Sequence, residues 1–504
     1  MKRRDIFIFF SLSVLYIVFI IPHWNYDIDD AFISYRYAEN FRNGGEFAYN
    51  PAHREEGYTS FLWIILLAII SGIVPIIYAS KVIATLSVLG IGFWFLQISK
   101  TPSMAMVAFA LWLCLPITWM NGVNGMETVF YTFFLTGCTT FALQWLESPS
   151  EKKAWFWSLF ALLSGLTRPE GNLFAGFLLL TLLVSKSRRM LLLPLCVYAG
   201  IGLVYFIGRL FYFDYPLAQP WPNPFLFKVA TGELFKSKGL IYVRDFLREP
   251  LFPILFFIIY THFSRQAHSQ RLLVTGIAVA GYLLFFFTVE PIVEYFYRFL
   301  IPVVPVLLLA SLPKSELSKN AMKTTLFVAG ACILLGWWSE WQKQSISGLT
   351  SYFSTPLKRT HQPIGKALSS FKKQGYVLGV SDAGVLPYYA QWQTLDLVGL
   401  NYRPYLLQKI TLSEFFKNPP TVLILHDHSR GSPCNIPIEL LLTSQGKTEF
   451  SRYYERMGLF FHRSDLDMGA YILKDCPDKD AIKKAIRLEV EKAQSLYSQQ
   501  KRKE

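Results

Sequence analysis

The chain has 504 residues, 52% of them hydrophobic and only 17% charged. Soluble globular chains carry about 25% charged residues, so a simple soluble fold is excluded. The net charge of +14 invites a nucleic-acid reading, but the cations lie in short loops between apolar runs and in a terminal tail. That is the positive-inside pattern of an inserted protein, and no nucleic-acid partner is expected.

Lys2, Arg3 and Arg4 precede an apolar run from Ile6 to Pro22, and no small-x-small cleavage site follows. The run reads as an uncleaved first span with its cations in the cytoplasm. Further apolar windows lie at 77–98, 103–120, 126–146, 154–168, 170–185, 190–212, 250–263, 271–288, 299–312 and 323–340. The spacing thus predicts an α-helical polytopic membrane protein with about eleven spans. The run 61–77 is a further candidate. Counting it as a span would move the Lys- and Arg-rich loops at 99–100, 147–153, 185–189, 264–271 and 313–323 to the outside. We therefore expect an in-plane helix over 61–76. Segments 23–60, 121–126, 213–249 and 289–298 then lie outside, with Lys81 at the outer end of the second span.

This divides the chain into a membrane domain over 1–340 and an extracytoplasmic mixed α/β domain over 341–504. In the latter, Tyr376–Val380 and Thr421–Leu425 read as buried strands, and 478–504 as a charged helix-like stretch. Cys114, Cys138, Cys196 and Cys332 fall in apolar runs and read as small buried residues. Cys434 and Cys476 would be free to pair in an oxidising compartment, though spacing alone does not show it.

The first outer loop holds the chemistry. Asp27 or Asn25 caps a helix that begins near Asp29 and stops at Asn43-Gly44-Gly45. On that helix Asp29, Ile33, Arg36 and Asn40 share a face. A carboxylate and a guanidinium beside a membrane suit a base that deprotonates a hydroxyl and a cation that holds a leaving phosphate. A helix cap with a solvated acidic turn explains the same residues. Arg36, Arg168 and Arg298 sit at outer span ends, and Lys228 lies in the long outer loop. Cations on that side call for an anionic partner, either a lipid phosphate or nearby Glu39, Glu170 and Glu294. The loop 215–224 is too rich in proline for a span or a regular helix. There is no HExxH motif, and His426-Asp427-His428 lacks further ligands, so no metal and no cofactor are expected.

Several stretches together resemble the GT-C superfamily of polyprenyl-phosphate-sugar-dependent glycosyltransferases. They include Asp29-Asp30-Ala31-Phe32-Ile33-Ser34-Tyr35-Arg36-Tyr37-Ala38, Asn50-Pro51 and Glu56-Gly57-Tyr58-Thr59-Ser60. Asn124-Gly125-Met126-Glu127-Thr128, Thr167-Arg168-Pro169-Glu170-Gly171 and Arg298-Phe299-Leu300-Ile301-Pro302 follow. The tail adds Ser381-Asp382-Ala383-Gly384 and Asp396-Leu397-Val398-Gly399-Leu400-Asn401. The branch that looks nearest includes terminal arabinofuranosyltransferases. The resemblance implies a polyprenyl-phosphate-linked sugar donor, a glycan or glycolipid acceptor, and an inverting reaction on the outer face of a bacterial inner membrane. It also implies Asp29 as the base with Asp30 beside it, and Arg36, Arg298, Arg168 and Lys228 as phosphate partners. Glu127 and Glu170 would face the acceptor or brace the site, and Glu56, Gly57, Tyr58 and Thr59 would shape the pocket. Asn43-Gly44-Gly45 stands where relatives have Gly-His-Gly, and Trp221-Pro222-Asn223-Pro224 where they carry Leu-Pro-Asn-Thr, so arabinose is not implied. A lipid flippase is the alternative. It is disfavoured because the ionisable residues cluster at span ends rather than at mid-membrane depth.

Overall fold

The computed structural model describes residues 3–501 apart from 52, 215–237, 265–268, 289–294, 314–316, 344, 403–410, 428–443 and 464–465. Lys228, the loop 215–224, Glu294, His428 and Cys434 therefore lie outside the described residues.

Among the described residues, six helices are long and apolar enough to cross a bilayer: Arg3–His23, Ile76–Ile98, Thr128–Glu147, Arg188–Phe213, Ser269–Thr288 and Lys319–Trp338. Two bent pairs bring the number to eight if each is one span. Pro102–Cys114 meets Pro116–Val123 at 68°, and Lys238–Arg248 meets Phe252–Phe263 at 57°. Pro116 lacks the N–H that would continue the ladder, which accounts for the first bend.

Three further apolar windows of the eleven expected fold as shorter helices. These are Glu151–Thr167, Glu170–Leu183 and Val303–Ala310, of 17, 14 and 8 residues. The first two are parted by Arg168, whose backbone is extended (φ −151°, ψ 135°), as the residue before a proline prefers. The run after Ser60 forms a helix of 10 residues, Phe61–Ile70. At about 15 Å long it reaches only half-way across a hydrocarbon core of about 30 Å.

Phe7, Phe10, Val204, Phe211 and Leu334 are exposed on the long helices. So much apolar surface turned outward is the mark of a multi-pass membrane protein.

Polar contacts sort the loop ends onto two ends of the bundle. At one end, Arg271 donates to Glu147 Oε1 at 2.7 Å and to the carbonyls of Ile98 and Leu312 at 3.4 Å. Arg4 reaches Ser103 Oγ at 3.2 Å. Four loops expected on one side thus meet there. At the other end, Lys81 Nζ binds Asp27 at 2.8 Å and the carbonyl of Tyr26 at 2.9 Å. Asn121 Nδ2 donates to the carbonyl of Phe296 at 3.0 Å.

The tail carries a mixed five-stranded sheet of order β2-β1-β3-β5-β4. Its strands are β1 (Val377–Val380), β2 (Gln393–Asp396), β3 (Val422–Asp427), β4 (Tyr454–Arg463) and β5 (Leu466–Leu473). β1 pairs in parallel with β2 and β3, while β5 lies antiparallel between β3 and β4. The two expected strands are β1 and β3. Val385 and Leu386 of the tail share one apolar cluster with Phe32, Tyr35 and Tyr37 of the Asp29–Gly44 helix. The apolar core therefore runs from the first loop into the tail without a break.

Candidate active site

The Asp29–Gly44 helix begins after extended Ile28 and ends on Gly45, whose φ of 74° favours glycine. Its first residues, Asp29 and Asp30, are acidic and complement the helix dipole. The expected side-chain cap from Asp27 or Asn25 is not made, since Ile28 is the N-cap. Asp27 is drawn away into its ion pair with Lys81.

Asp29 instead turns to the tail. Its Oδ2 accepts the N–H of Gly384 at 2.9 Å and its Oδ1 that of Val385 at 2.8 Å. Burial, reinforced by the nearby Asp382 carboxylate, pushes the proton affinity of Asp29 up to a pKa of about 7. His361 and the Val385 N–H pull the other way but do not outweigh it. Gly384 is required here. A Cβ on it would lie 1.9 Å from the carbonyl oxygen of Asp29 and 2.6 Å from its Cγ.

Asp30 is 22% exposed and points to Arg298, whose Nη2 lies 4.0 Å from Asp30 Oδ2. Burial raises the Asp30 pKa and Arg298 opposes it. The Arg298 side chain is only 10% exposed, and its Nε and Nη1 have no hydrogen-bond partner among the described residues. Its guanidinium stacks 4.6 Å from the Phe299 ring centroid, with Arg168 on the same ring at 4.9 Å. Arg168 is bound by Glu127, and by Glu170 Oε1 at 2.7 Å. All three of these side chains are buried. Arg168, held by Glu127 and Glu170, thus meets Arg298 across the Phe299 ring.

Arg36 requires a correction. All five of its N–H donors are committed: Nε to the carbonyl of Tyr49 (2.8 Å), Nη1 to the carbonyl of Pro387 (2.8 Å) and Thr394 Oγ1 (3.3 Å), Nη2 to Asn50 Oδ1 (3.1 Å) and the carbonyl of Trp392 (2.6 Å). No donor remains for a phosphate. Arg36 is a strut between the first loop and the tail, and Asn40 Nδ2 joins it on the Tyr49 carbonyl at 3.0 Å.

The Glu56–Thr59 segment lies against a second loop of the tail. Asp396 accepts the N–H groups of Val398, Gly399 and Asn401, as well as Asn401 Nδ2. This fixes Asn401 over Gly57, where a Cβ would meet Asn401 Oδ1 at 2.0 Å. The Gly57 N–H donates to Tyr37 Oη at 2.9 Å, and Tyr58 packs edge-on to Tyr37. Thr59 is half-buried. Glu56 pairs with Arg209 of the long Arg188–Phe213 helix. Burial nonetheless lifts its pKa to about 7.

The sequence did not bring Asp382, His361 and His426 together. Asp382 Oδ2 lies 2.9 Å from His361 Nε2 and 3.1 Å from His426 Nε2. Asp382 stands in a stretch that carried the resemblance. Nothing around His361 signalled its place.

The shape built by these elements has counterparts among solved structures. ArnT from Cupriavidus metallidurans bound to undecaprenyl phosphate superposes with a TM-score of 0.60 at 10% identity, over 91% of this chain and 97% of that one. Its apo state gives 0.55 at 12% identity with the same coverage. The fold is that of the GT-C membrane enzymes. An oligosaccharyltransferase from Archaeoglobus fulgidus in the apo form shares the GT-C fold, with a TM-score of 0.54, 12% identity and coverage of 84% and 70%. Residues 348–474 match a family described as a domain of unknown function, DUF8728. No curated protein matches the chain.

Proposed function

We propose that the protein is an inverting glycosyltransferase of the GT-C type, taking a sugar from a polyprenyl phosphate. The observation that carries this reading is the meeting of two opposed groups at the start of one helix. Asp29 is a carboxylate with raised proton affinity, and beside it Asp30 faces a buried guanidinium whose Nε and Nη1 have no partner among the described residues. A general base works best when its pKa lies near the operating pH, and Asp29 meets that condition. A buried cation with unpartnered N–H groups is costly unless an anion completes it.

In the reaction, Asp29 takes the proton of an acceptor hydroxyl as that oxygen bonds to the anomeric carbon. The bond from the anomeric carbon to the phosphate oxygen breaks, and the polyprenyl phosphate leaves with its charge against Arg298. Attack opposite the leaving group inverts the anomeric centre. ArnT of Cupriavidus metallidurans, which shares this fold, was solved bound to undecaprenyl phosphate, a ligand of the class invoked here. The acceptor is a cell-envelope glycan or glycolipid, and the site faces the exterior of a bacterial inner membrane. The mechanism carries forward Asp29, Asp30 and Arg298 from the expected site, with Arg168, Glu127 and Glu170 as its brace.

Native mass spectrometry of the purified protein with undecaprenyl phosphate tests the lipid half of this reading. Wild type and Asp29→Asn should retain the lipid, and Arg298→Gln should lose it. Equal retention by Arg298→Gln would remove Arg298 from the phosphate site.

A further inference from the structure

The loop 381–385 does two things at once. Its Gly384 and Val385 N–H groups hold the Asp29 carboxylate. Two residues earlier, the same loop presents the Asp382 carboxylate, which is itself held by two imidazoles. His361 is fully buried, and its Nδ1 lies 3.1 Å from the carbonyl oxygen of Pro356. A carbonyl can only accept, so Nδ1 carries a proton. Its other nitrogen faces Asp382 Oδ2 at 2.9 Å, and that contact needs a proton on one side or the other. Either His361 is an imidazolium against a carboxylate, or Asp382 is a neutral acid against an imidazole. His426 reaches the same oxygen at 3.1 Å and is 21% exposed, as Asp382 is 20% exposed. Among the described residues, no group of three or more His, Cys, Asp or Glu is arranged to hold a metal ion.

We propose that Asp382, held between His361 and His426, is a positioning residue that governs when Asp29 holds a proton, and that the domain over 348–474 is thereby a working part of the active site. This deepens the transferase reading and rests on Asp29 being its base. The coupling is electrostatic and follows from the geometry. The loop that carries one carboxylate grips the other, and two neighbouring carboxylates cannot both ionise cheaply, so each holds its proton more tightly. The imidazoles decide how much of the negative charge on Asp382 reaches Asp29. Besides Asp382, the charged groups acting on Asp29 are His361 and Asp30, while Arg298, Glu127 and Asp396 act on Asp30. Of all these groups, Asp382 acts on Asp29 most strongly after burial itself. When Asp29 takes up the proton of an acceptor, the repulsion is relieved. Asp382 therefore makes Asp29 a stronger base than a lone carboxylate would be.

The coupling can be read without any substrate. Deuterium exchange at the imidazole C2 position, followed by mass spectrometry across pH, reports the titration of each histidine in the full-length protein in detergent. Asp382→Asn should lower the His361 midpoint by about 1 pH unit or more, and Asp29→Asn should lower it by less. A His361 midpoint unmoved by Asp29→Asn overturns the proposal, and that variant decides the matter even if Asp382→Asn does not fold.

The second arm measures sugar transfer in membranes across pH. Asp382→Asn should shift the acid limb of the profile to lower pH, reduce kcat more than KM, and be partly rescued by Asp382→Glu. Loss of activity by the same factor at every pH would mean a structural role only and would overturn the proposal. If His361 responds to Asp29→Asn while no sugar transfer is found, the coupling stands. The transferase reading, and with it the working role of the loop, then falls.

Discussion

Replacing Gly384 by alanine tests whether the tail grips Asp29 as described. The added Cβ would lie 1.9 Å from the Asp29 carbonyl oxygen, 2.5 Å from its carbonyl carbon and 2.6 Å from its Cγ. Ordinary van der Waals contact begins at 3.4 Å, so the loop must retreat by roughly 1 Å or more from the helix start. Two of the three clashing atoms are backbone, which cannot swing aside. Overpacking of this kind costs about 1–3 kcal/mol. A displacement of about 1 Å at a reacting group can cost on the order of 100-fold in rate. Gly384→Ala should therefore lower the melting temperature of the detergent-solubilised protein modestly and its activity severely. Gly44→Ala is the control, because a Cβ there meets nothing within 4 Å. Wild-type activity in Gly384→Ala would refute the contact between the loop and Asp29.

Charge at the site gives further tests. Asp29→Asn should leave the protein folded and lower transfer by about 100- to 10,000-fold, the usual worth of a general base. Wild-type activity should rise with pH through about 7 as Asp29 ionises. Stability should move the opposite way. Folded Asp29 holds its proton more tightly than the unfolded chain does, so folding takes up a proton between about pH 4 and about pH 7. Stability then falls as pH rises through that window, and Glu56 adds the same sign. Thermal melts against pH should flatten in Asp29→Asn, and an unchanged slope would contradict the raised affinity. The two arginines should part company. Arg36→Met, which breaks five hydrogen bonds, should destabilise by on the order of 3 kcal/mol, whereas Arg298→Gln should keep or raise the melting temperature while losing lipid binding.

The helix at Asp29 was legible because its signals are local: an acidic first turn, and a glycine that ends it at Gly45. β1 and β3 were legible as short apolar runs. The hairpin of β4 and β5 was not, because MGLFFHR and LDMGAYIL mix apolar, charged and glycine residues without clean alternation. The role of Arg36 was misjudged for a reason of distance along the chain. Its partners Pro387, Trp392 and Thr394 lie more than 350 residues away, and only the folded tail brings their acceptors to it. The same holds for Asp382 and His361, whose bearing on Asp29 arises from packing. The arrangement of Arg168 between Glu127 and Glu170 was half visible, since Glu170 is two residues away and Glu127 is 41. Hydropathy located the apolar windows but not the length of the helix that each one forms. Val303–Ala310 is almost wholly buried against its neighbours and only 8 residues long.

We propose Asp29 as the base of a sugar transfer from a polyprenyl phosphate. Its most direct test is mass spectrometry of lipid-linked and surface glycans from cells lacking the gene, complemented with wild type or Asp29→Asn. One sugar should be missing from a glycan in the deleted cells; wild type should restore it and Asp29→Asn should not. Restoration by Asp29→Asn, or unchanged glycans with a lipid-linked precursor stranded on the inner leaflet, would contradict the claim.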